Sequence, residues 1–352
     1  MIDSPVVPFV DLVARHSRVA QQAEKALLAV LRSGQWVGGP VVQNAEEAIA
    51  RIGGKNHAVG VGNGTDALTL ALMAIGVRAG DDVLVPAVTF FATAGAVLRL
   101  GAKPIVVDVL PDLPLIDPDA AKQKLTANTT AVIPVHLFGL TAPKISLGIP
   151  VVDDAAQAMG SDPPVGHGDI AATSFYPTKV LGVAGDGGAV LTNDAHLASR
   201  VRQLANHGMV APHVHEVHEG HVGWNSRLDG IQAALLLAHL DDLPSRLERR
   251  RQIAQRYDEA FADQAVPHNA GSPVSVYVLL HPERDRVAQD LRNKGIQTAV
   301  YYPRSLSQQP AIASEPTPNA DRFCAQALAL PCHATLDAQQ VDAVISAVRS
   351  SI

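Results

Sequence analysis

Three short segments of this 352-residue chain concentrate residues able to do chemistry. The first is Ser174-Phe175-Tyr176-Pro177-Thr178-Lys179-Val180-Leu181-Gly182, closed by Gly185-Asp186-Gly187-Gly188-Ala189. A lysine just past an apolar run and followed by glycines sits where a turn can hold its amine in a cleft, although a surface lysine in a loop has the same local pattern. The second, Val151-Val152-Asp153-Asp154-Ala155-Ala156-Gln157-Ala158, ends an apolar run in two carboxylates. In open α/β folds the carboxyl ends of strands face the ligand crevice. Paired aspartates there could cap a helix or hold a metal, and a buried one could instead keep a pyridine nitrogen protonated. The third, Gly60-Val61-Gly62-Asn63-Gly64-Thr65-Asp66-Ala67-Leu68, is a glycine-rich turn from strand into helix. Its free amides at the positive end of the helix dipole suit a phosphate. Thr65 stands where a dinucleotide fingerprint needs a third glycine, so the turn suits one phosphate and not a pyrophosphate.

The elements that must carry these segments follow from periodicity. From residue 57 onward, short β-branched runs alternate with helical patterns, the mark of βαβ units and a largely parallel sheet. Strands are predicted at His57–Val61, Val83–Pro86, Pro104–Val107, Ala131–His136, Pro150–Asp153, Ile170–Phe175 and Ala189–Thr192. Most are continuous apolar runs, as strands buried on both faces require. Asp66–Ile75 is a helix, with Leu68, Leu72 and Ile75 on one stripe and Gly76 at its end. Val19 to Leu31 is another, closed by Gly34. After residue 243 the pattern becomes Leu247–Phe261, Val274–Leu280, Arg284–Lys294, Thr298–Tyr302 and Leu336–Val348, alternately helix and strand. This predicts a larger domain over 1–243 and a smaller α+β domain over 244–352. The Pro- and Ser-rich stretch Pro303 to Pro318 is expected to be a surface loop.

Together with Pro86-Ala87-Val88-Thr89-Phe90-Phe91-Ala92-Thr93, His136-Leu137-Phe138-Gly139, His207-Gly208 and Gly223-Trp224-Asn225-Ser226-Arg227-Leu228-Asp229, the three segments resemble the DegT/DnrJ/EryC1/StrS family of nucleotide-sugar aminotransferases, which use pyridoxal 5′-phosphate (PLP). The likeness runs from Phe9-Val10-Asp11-Leu12 to Leu330-Pro331, with the motifs in the family's order. It implies an α/β fold-type I PLP-dependent transferase, aspartate-aminotransferase-like, with a mainly parallel seven-stranded sheet in the large domain. It implies that Lys179 forms the internal aldimine and later moves the proton, and that Asp154 pairs with the ring nitrogen. Gln157 matches the position near the ring hydroxyl, Phe90 the stacking aromatic, and Gly64, Thr65 and Ser174 the phosphate cup. Asn225 resembles the residue that reaches the phosphate from the neighbouring subunit, which implies a homodimer with shared active sites. The residues support the same reading without the family name, since a helix-start cup, a carboxylate and a lysine match the phosphate, ring nitrogen and aldehyde of PLP.

Lysine at 179, where sugar-3-dehydrating relatives carry histidine, implies transamination. The expected cycle is ping-pong, from an amino-acid donor, by family habit L-glutamate, to a nucleotide-linked keto sugar. Val222 to Asp229, followed by Ile231-Gln232-Ala233-Ala234, is similar to the branch that aminates 3-keto sugars, UDP-linked uronates and dTDP-linked hexoses among them. Arg227 could pair with a donor or uronate carboxylate, or form a structural ion pair at the dimer interface. Tyr301-Tyr302-Pro303 stands where many relatives have His-Tyr-Pro near the sugar nucleotide, so Tyr301 could donate a hydrogen bond but carry no charge. Val183-Ala184 replaces a more usual small-aromatic pair. The alternatives are a keto-cyclitol or 4-keto sugar as acceptor and, from another class, a PLP-fold binding or regulatory protein, against which the retained lysine argues.

Composition bounds the rest. At 47% hydrophobic and 18% charged, the chain is a soluble globular one. A net charge of −6 lacks the footprint of a protein that neutralises nucleic-acid phosphates. Cys324 and Cys332 suit neither a disulfide framework nor a zinc site, which favours a reducing cytoplasm. Met1-Ile2-Asp3-Ser4-Pro5 carries no signal-peptide pattern, and Val83 to Leu98, interrupted by Pro86, is too short to span a membrane. His213, His215, His218 and His221 could converge on a metal, but such tracts are weak compositional evidence and no metal is expected.

Overall fold

In the computed structural model, which describes residues 6–164 and 166–352, three helices precede the first strand: α1 (Leu12–Ser17), α2 (Ala20–Ser33) and α3 (Pro40–Ile52). The signal-peptide reading of Met1 to Pro5 lies outside the described residues. Asp11 caps α1 by accepting the Ala14 N–H, and Gly34 ends α2 in the left-handed conformation at φ 70°. Strand and helix then alternate through β1 (His57–Val61), α4 (Gly64–Ala74), β2 (Asp82–Pro86), α5 (Ala92–Arg99), β3 (Lys103–Val107) and α6 (Pro118–Gln123). They are followed by β4 (Thr129–Val132), β5 (Val152–Asp154), β6 (Ile170–Ser174), β7 (Gly188–Thr192) and α7 (Ala195–Leu204).

Among the described residues these seven strands make one sheet in the order β3-β2-β4-β5-β6-β7-β1. Its two ladders join where the chain at and after β4 pairs in parallel with the β5 segment, at Val132–Val151 and Val135–Asp154. All pairings are parallel except those of β7, which runs antiparallel to β6 and β1. This is the mainly parallel sheet expected from the sequence. Every residue of β2 and β7 is buried, as helices on both faces require. Helix α4 is buried at every position from Ala67 to Ala74 and packs on β6, β7, α5 and α7. That packing fixes its N-terminus at the carboxyl edge of the sheet.

A short hairpin, β8 (Met209–Ala211) and β9 (Val214–His215), leads to α8 (Gly230–Leu240) and α9 (Leu243–Phe261). The chain ends with β10 (Tyr277–Leu280), α10 (Arg284–Asn293), α11 (Pro318–Gln326), β11 (Ala327–Leu330) and α12 (Ala338–Arg349). An apolar cluster that includes Ile253, Tyr257, Tyr277, Leu291 and Val344 lies among these elements, and Val7 from the N-terminal segment joins it. Val278, Leu306 and Phe323 pack instead into the main core.

The C-terminal third departs from expectation in two places. Thr298–Tyr302 is no strand: only Ala299 bridges, to Ala329, and the partner of β10 is the unpredicted β11. The stretch from Pro303 to Pro318 is not a surface loop throughout, because Ser305, Leu306 and Thr317 are buried. Its hydroxyls satisfy one another, Ser305 Oγ bonding Ser307 Oγ and Asp321 Oδ1, and Ser307 Oγ bonding Thr317 Oγ1, which permits a polar segment inside. Among the described residues no helix is long and apolar enough to cross a membrane.

Candidate active site

A cavity of about 580 Å³ opens at the carboxyl edge of the sheet. Gly64 and Thr65 enter it from the start of α4, Thr89 and Phe90 from the turn after β2, Asp154 and Gln157 from the end of β5 and beyond. Ser174 and Lys179 follow from β6. Asp186 arrives just before β7, whose reversed direction puts its beginning at the same edge.

The two adjacent aspartates part company because successive strand residues face opposite sides. Asp153 turns away from the cavity: its Oδ1 lies 3.1 Å from His136 Nε2, and its Oδ2 accepts the Gly168 N–H at 2.7 Å. His136 Nδ1 accepts the Ala142 N–H at 3.0 Å, so Nε2 carries the proton donated to Asp153. Asp154 turns into the cavity and is 6% exposed. Its Oδ2 accepts from Thr93 Oγ1 at 2.9 Å, and Thr89 Oγ1 lies 2.8 Å behind Thr93 Oγ1. The Ala156 N–H reaches Oδ1 at 3.2 Å. Burial holds the Asp154 carboxyl above the ordinary carboxylate range, opposed by these bonds and by the charge of Lys179.

Lys179 responds in the opposite sense. Burial lowers its proton affinity, and Asp154 raises it in partial compensation. Its loop is a tight turn in which the Lys179 N–H donates to the Tyr176 carbonyl at 2.8 Å. Gly182 is required there, since a Cβ would lie 2.6 Å from the carbonyl oxygens of Tyr176 and Pro177.

At the start of α4, Asn63 Oδ1 caps the helix by accepting the Asp66 N–H at 2.8 Å. Gly64 lies so close to Ser174 that a Cβ would come within 2.6 Å of the serine Cβ. Asp66 is committed elsewhere, its Oδ2 accepting from Ser226 Oγ at 2.7 Å and its Oδ1 lying 3.3 Å from Arg99. On the far wall the Phe90 ring, 59% exposed, stands 6.1 Å from that of Tyr302. Gln157 Oε1 accepts the Phe138 N–H at 2.7 Å, which turns its Nε2 to within 3.4 Å of Tyr302 Oη. Burial and the Asp154 charge raise the Tyr302 hydroxyl well above its usual range, so it remains a donor.

Of the residues singled out from sequence, Lys179, Asp154, Gly64, Thr65, Phe90, Gln157, Ser174, Tyr301 and Tyr302 all line this one cavity. Asn225 and Arg227 do not. Both are exposed: Arg227 Nη2 donates to Asn225 Oδ1 at 2.7 Å and Nη1 to Asn206 Oδ1 at 2.9 Å. Arg250, Asp186, His333 and Thr93 were not anticipated. Arg250 lines the cavity and donates to the carbonyl of Val274 at 2.8 Å. The signal was available in α9, where Arg246, Arg250, Ile253 and Tyr257 repeat at helical spacing. Cys332 also lines the cavity, its thiol pushed up to about 12 by burial. His215 and His221 bond the carbonyls of His207 and Val77, and among the described residues no group of three or more His, Cys, Asp or Glu could hold a metal.

A buried carboxylate, an amine of lowered proton affinity and open helix-start amides in one cavity are the donor set that PLP requires. With the sheet topology they define a fold-type I PLP-dependent transferase. The chain belongs to the DegT/DnrJ/EryC1/StrS aminotransferase family, whose model matches residues 18–349. It is 36% identical to UDP-2-acetamido-2-deoxy-3-oxo-D-glucuronate aminotransferase of Pseudomonas aeruginosa, over 97% of this chain and 99% of that protein. It is 38% identical to a Geobacillus stearothermophilus protein named pleiotropic regulatory protein, over 97% of each. Among solved structures it is similar to NtdA of Bacillus subtilis with bound cofactor PMP, at a TM-score of 0.89 and 27% identity, covering 100% of this chain and 86% of that one.

Proposed function

We propose that this protein is a PLP-dependent aminotransferase that moves an amino group from L-glutamate to the keto carbon of a nucleotide-linked sugar, a 3-keto UDP- or dTDP-sugar. The observation that carries this reading is Lys179 and Asp154 in one cavity, shifted by burial in opposite senses. When bound, PLP supplies an aldehyde and an electron-withdrawing ring that accepts the electron pair left when a substrate C–H bond loses its proton.

The chain's own groups do the rest. Gly64 and Thr65 amides and the Ser174 hydroxyl hold the phosphate against the α4 dipole. Asp154 would pair with the ring nitrogen and keep its proton in place, Gln157 would meet the ring hydroxyl, and Phe90 would stack on the ring. Lys179, which lines the cavity, would hold PLP at its aldehyde end. Its Nζ would take the proton from the donor α-carbon and hand it on within the site, a task helped by its lowered proton affinity. The same group runs the sequence in reverse on the sugar, giving a ping-pong cycle. Tyr301 donates a hydrogen bond to the sugar nucleotide and Tyr302 lies beside it. Asn225 and Arg227, exposed on their own chain, complete the site of a second copy in a homodimer, with Arg227 meeting a carboxylate of donor or uronate.

The Pseudomonas aeruginosa relative, named for a 3-oxo-glucuronate, supports the 3-keto acceptor. The regulatory name of the other relative does not displace transamination, because Lys179 lines the cavity here. Division into a large domain over 1–243 and a small one over 244–352 and a cytoplasmic location, where the free Cys324 and Cys332 stay reduced, belong to the same reading.

Protein supplied with PLP is expected to show a visible absorption band that borohydride abolishes. Lys179→Ala is expected to lose that band and at least about a hundredfold in turnover. Retention of both would remove Lys179 from its role. Acceptors are separated by a screen of UDP-, dTDP- and GDP-linked keto sugars and a keto-inositol. Preference for keto-inositol or a 4-keto sugar would overturn the acceptor.

A further inference from the structure

Carbonyl oxygens taken out of water need donors, and the loop bearing Lys179 receives them from two guanidinium groups that lie outside the cavity lining. Arg15, on α1, donates from Nη1 to the carbonyls of Pro177 at 2.8 Å and Lys179 at 3.0 Å, and from Nη2 to that of Gly182 at 2.8 Å. Arg246, on α9, donates from Nη1 to the Val180 carbonyl at 2.8 Å and from Nη2 to the His239 carbonyl at 3.1 Å. Four carbonyls between residues 177 and 182 are thus tied to two helices far apart in the sequence.

These arginines sit together at an electrostatic disadvantage. Burial and neighbouring guanidinium groups, Arg250 among them, push both down to about 10. Asp242, 3.3 Å from Arg246 Nε, is shared with Arg18 at 2.7 Å. Buried like charges persist where the bonds they make are worth more than their repulsion, and here those bonds converge on one short turn. Its product is the placement of the Lys179 Cα.

Resting on the assignment of Lys179 above, we infer that Arg15 is a positioning residue for the reaction: its planar fork fixes peptide units on both sides of Lys179, so α1 sets where the amine can reach. A lysine at position 15 would keep the charge but not the fork, since an ammonium is a point donor that cannot span three carbonyls. Misplacing a reacting group by about 1 Å costs on the order of a hundredfold in rate.

The test uses the PLP-loaded enzyme with Arg15→Gln and Arg15→Lys, followed through the glutamate half-reaction in a single turnover. Both variants are expected to slow that half-reaction about 10- to 100-fold and to move the pH midpoint of the bound cofactor's visible band. The dissociation constants of PLP and of glutamate should stay within about threefold, since the α4 amides and Ser174 are untouched. Wild-type rate and midpoint in Arg15→Gln, or restoration of both by Arg15→Lys, overturns the fork. An equal loss of rate, PLP affinity and melting temperature assigns Arg15 a merely structural role and also overturns it. Peptide mass spectrometry of borohydride-reduced wild type keeps the premise separate: cofactor attached to a lysine other than Lys179 defeats the assignment of Lys179, whereas attachment at Lys179 with unchanged variant kinetics defeats the fork alone.

Discussion

Asp153 and Asp154 carry the same side chain on adjacent residues, yet one bonds a histidine and the other faces a cavity, because a strand alternates. For Asp154 the sign of the pH effect follows from its raised proton affinity. Its folded-state pKa lies above its unfolded value, so ionising it opposes folding. That penalty is absent below the ordinary carboxylate range, grows as pH rises from there towards the folded value, and is complete above it. Asp154→Asn removes the titration while leaving an oxygen for Thr93. PLP-free Asp154→Asn should therefore gain stability relative to wild type as pH rises from about 4 to about 8, measured by urea unfolding at each pH, while its PLP affinity falls. A stability difference that does not change with pH would mean that burial is not setting this pKa. The sequence exposed Asp154 and Lys179 because a strand ending in a carboxylate and a lysine ahead of glycines are local patterns. Thr93 left no such mark: its hydroxyl belongs to α5, and only the fold carries it to a carboxylate 61 residues away.

The start of α4 shows how an element makes a site. Asn63 caps it, its buried length anchors it on β6 and β7, and Gly64 lets its first turn approach Ser174. Gly64→Ala must part the helix from β6, because the added Cβ meets the serine Cβ at 2.6 Å. PLP affinity is expected to fall at least about tenfold, worth ~1.4 kcal/mol, with little change in the urea midpoint if the strain stays local. Unchanged affinity in a fluorescence titration would show that the cup lies elsewhere. The same element was fully legible, since strand, glycine turn and apolar helix are contiguous in sequence. The strand expected over Thr298–Tyr302 misled because its β-branched and aromatic residues suit a strand. Tyr301 and Tyr302 are instead cavity walls, and β11, the actual partner of β10, follows directly on α11 with the small residues of Ala327-Leu328-Ala329-Leu330 that helices also favour.

At the scale of the whole molecule, a net charge of −6 cannot draw in an anionic sugar nucleotide, so local groups must. Within one chain, among the described residues, the guanidinium that lines the cavity is Arg250, already donating to two backbone carbonyls, while Arg227 faces outward beside Asn225. Ser226 between them is buried and bonded to Gly62 and Asp66, so the pair is presented rigidly and away from its own cavity. In the proposed homodimer that geometry makes each site a composite, with Lys179 from one subunit and Asn225 and Arg227 from the other. Mixing subunits decides the matter. Lys179→Ala and the double variant Asn225→Ala, Arg227→Ala should each be nearly inactive alone. Co-refolded in equal amounts, they assort so that about half the dimers are mixed, each with one intact site, which returns about a quarter of wild-type turnover. If Asn225 and Arg227 served their own chain's cavity, every site in a mixed dimer would lack one component. The mixture would then be as inactive as its parents.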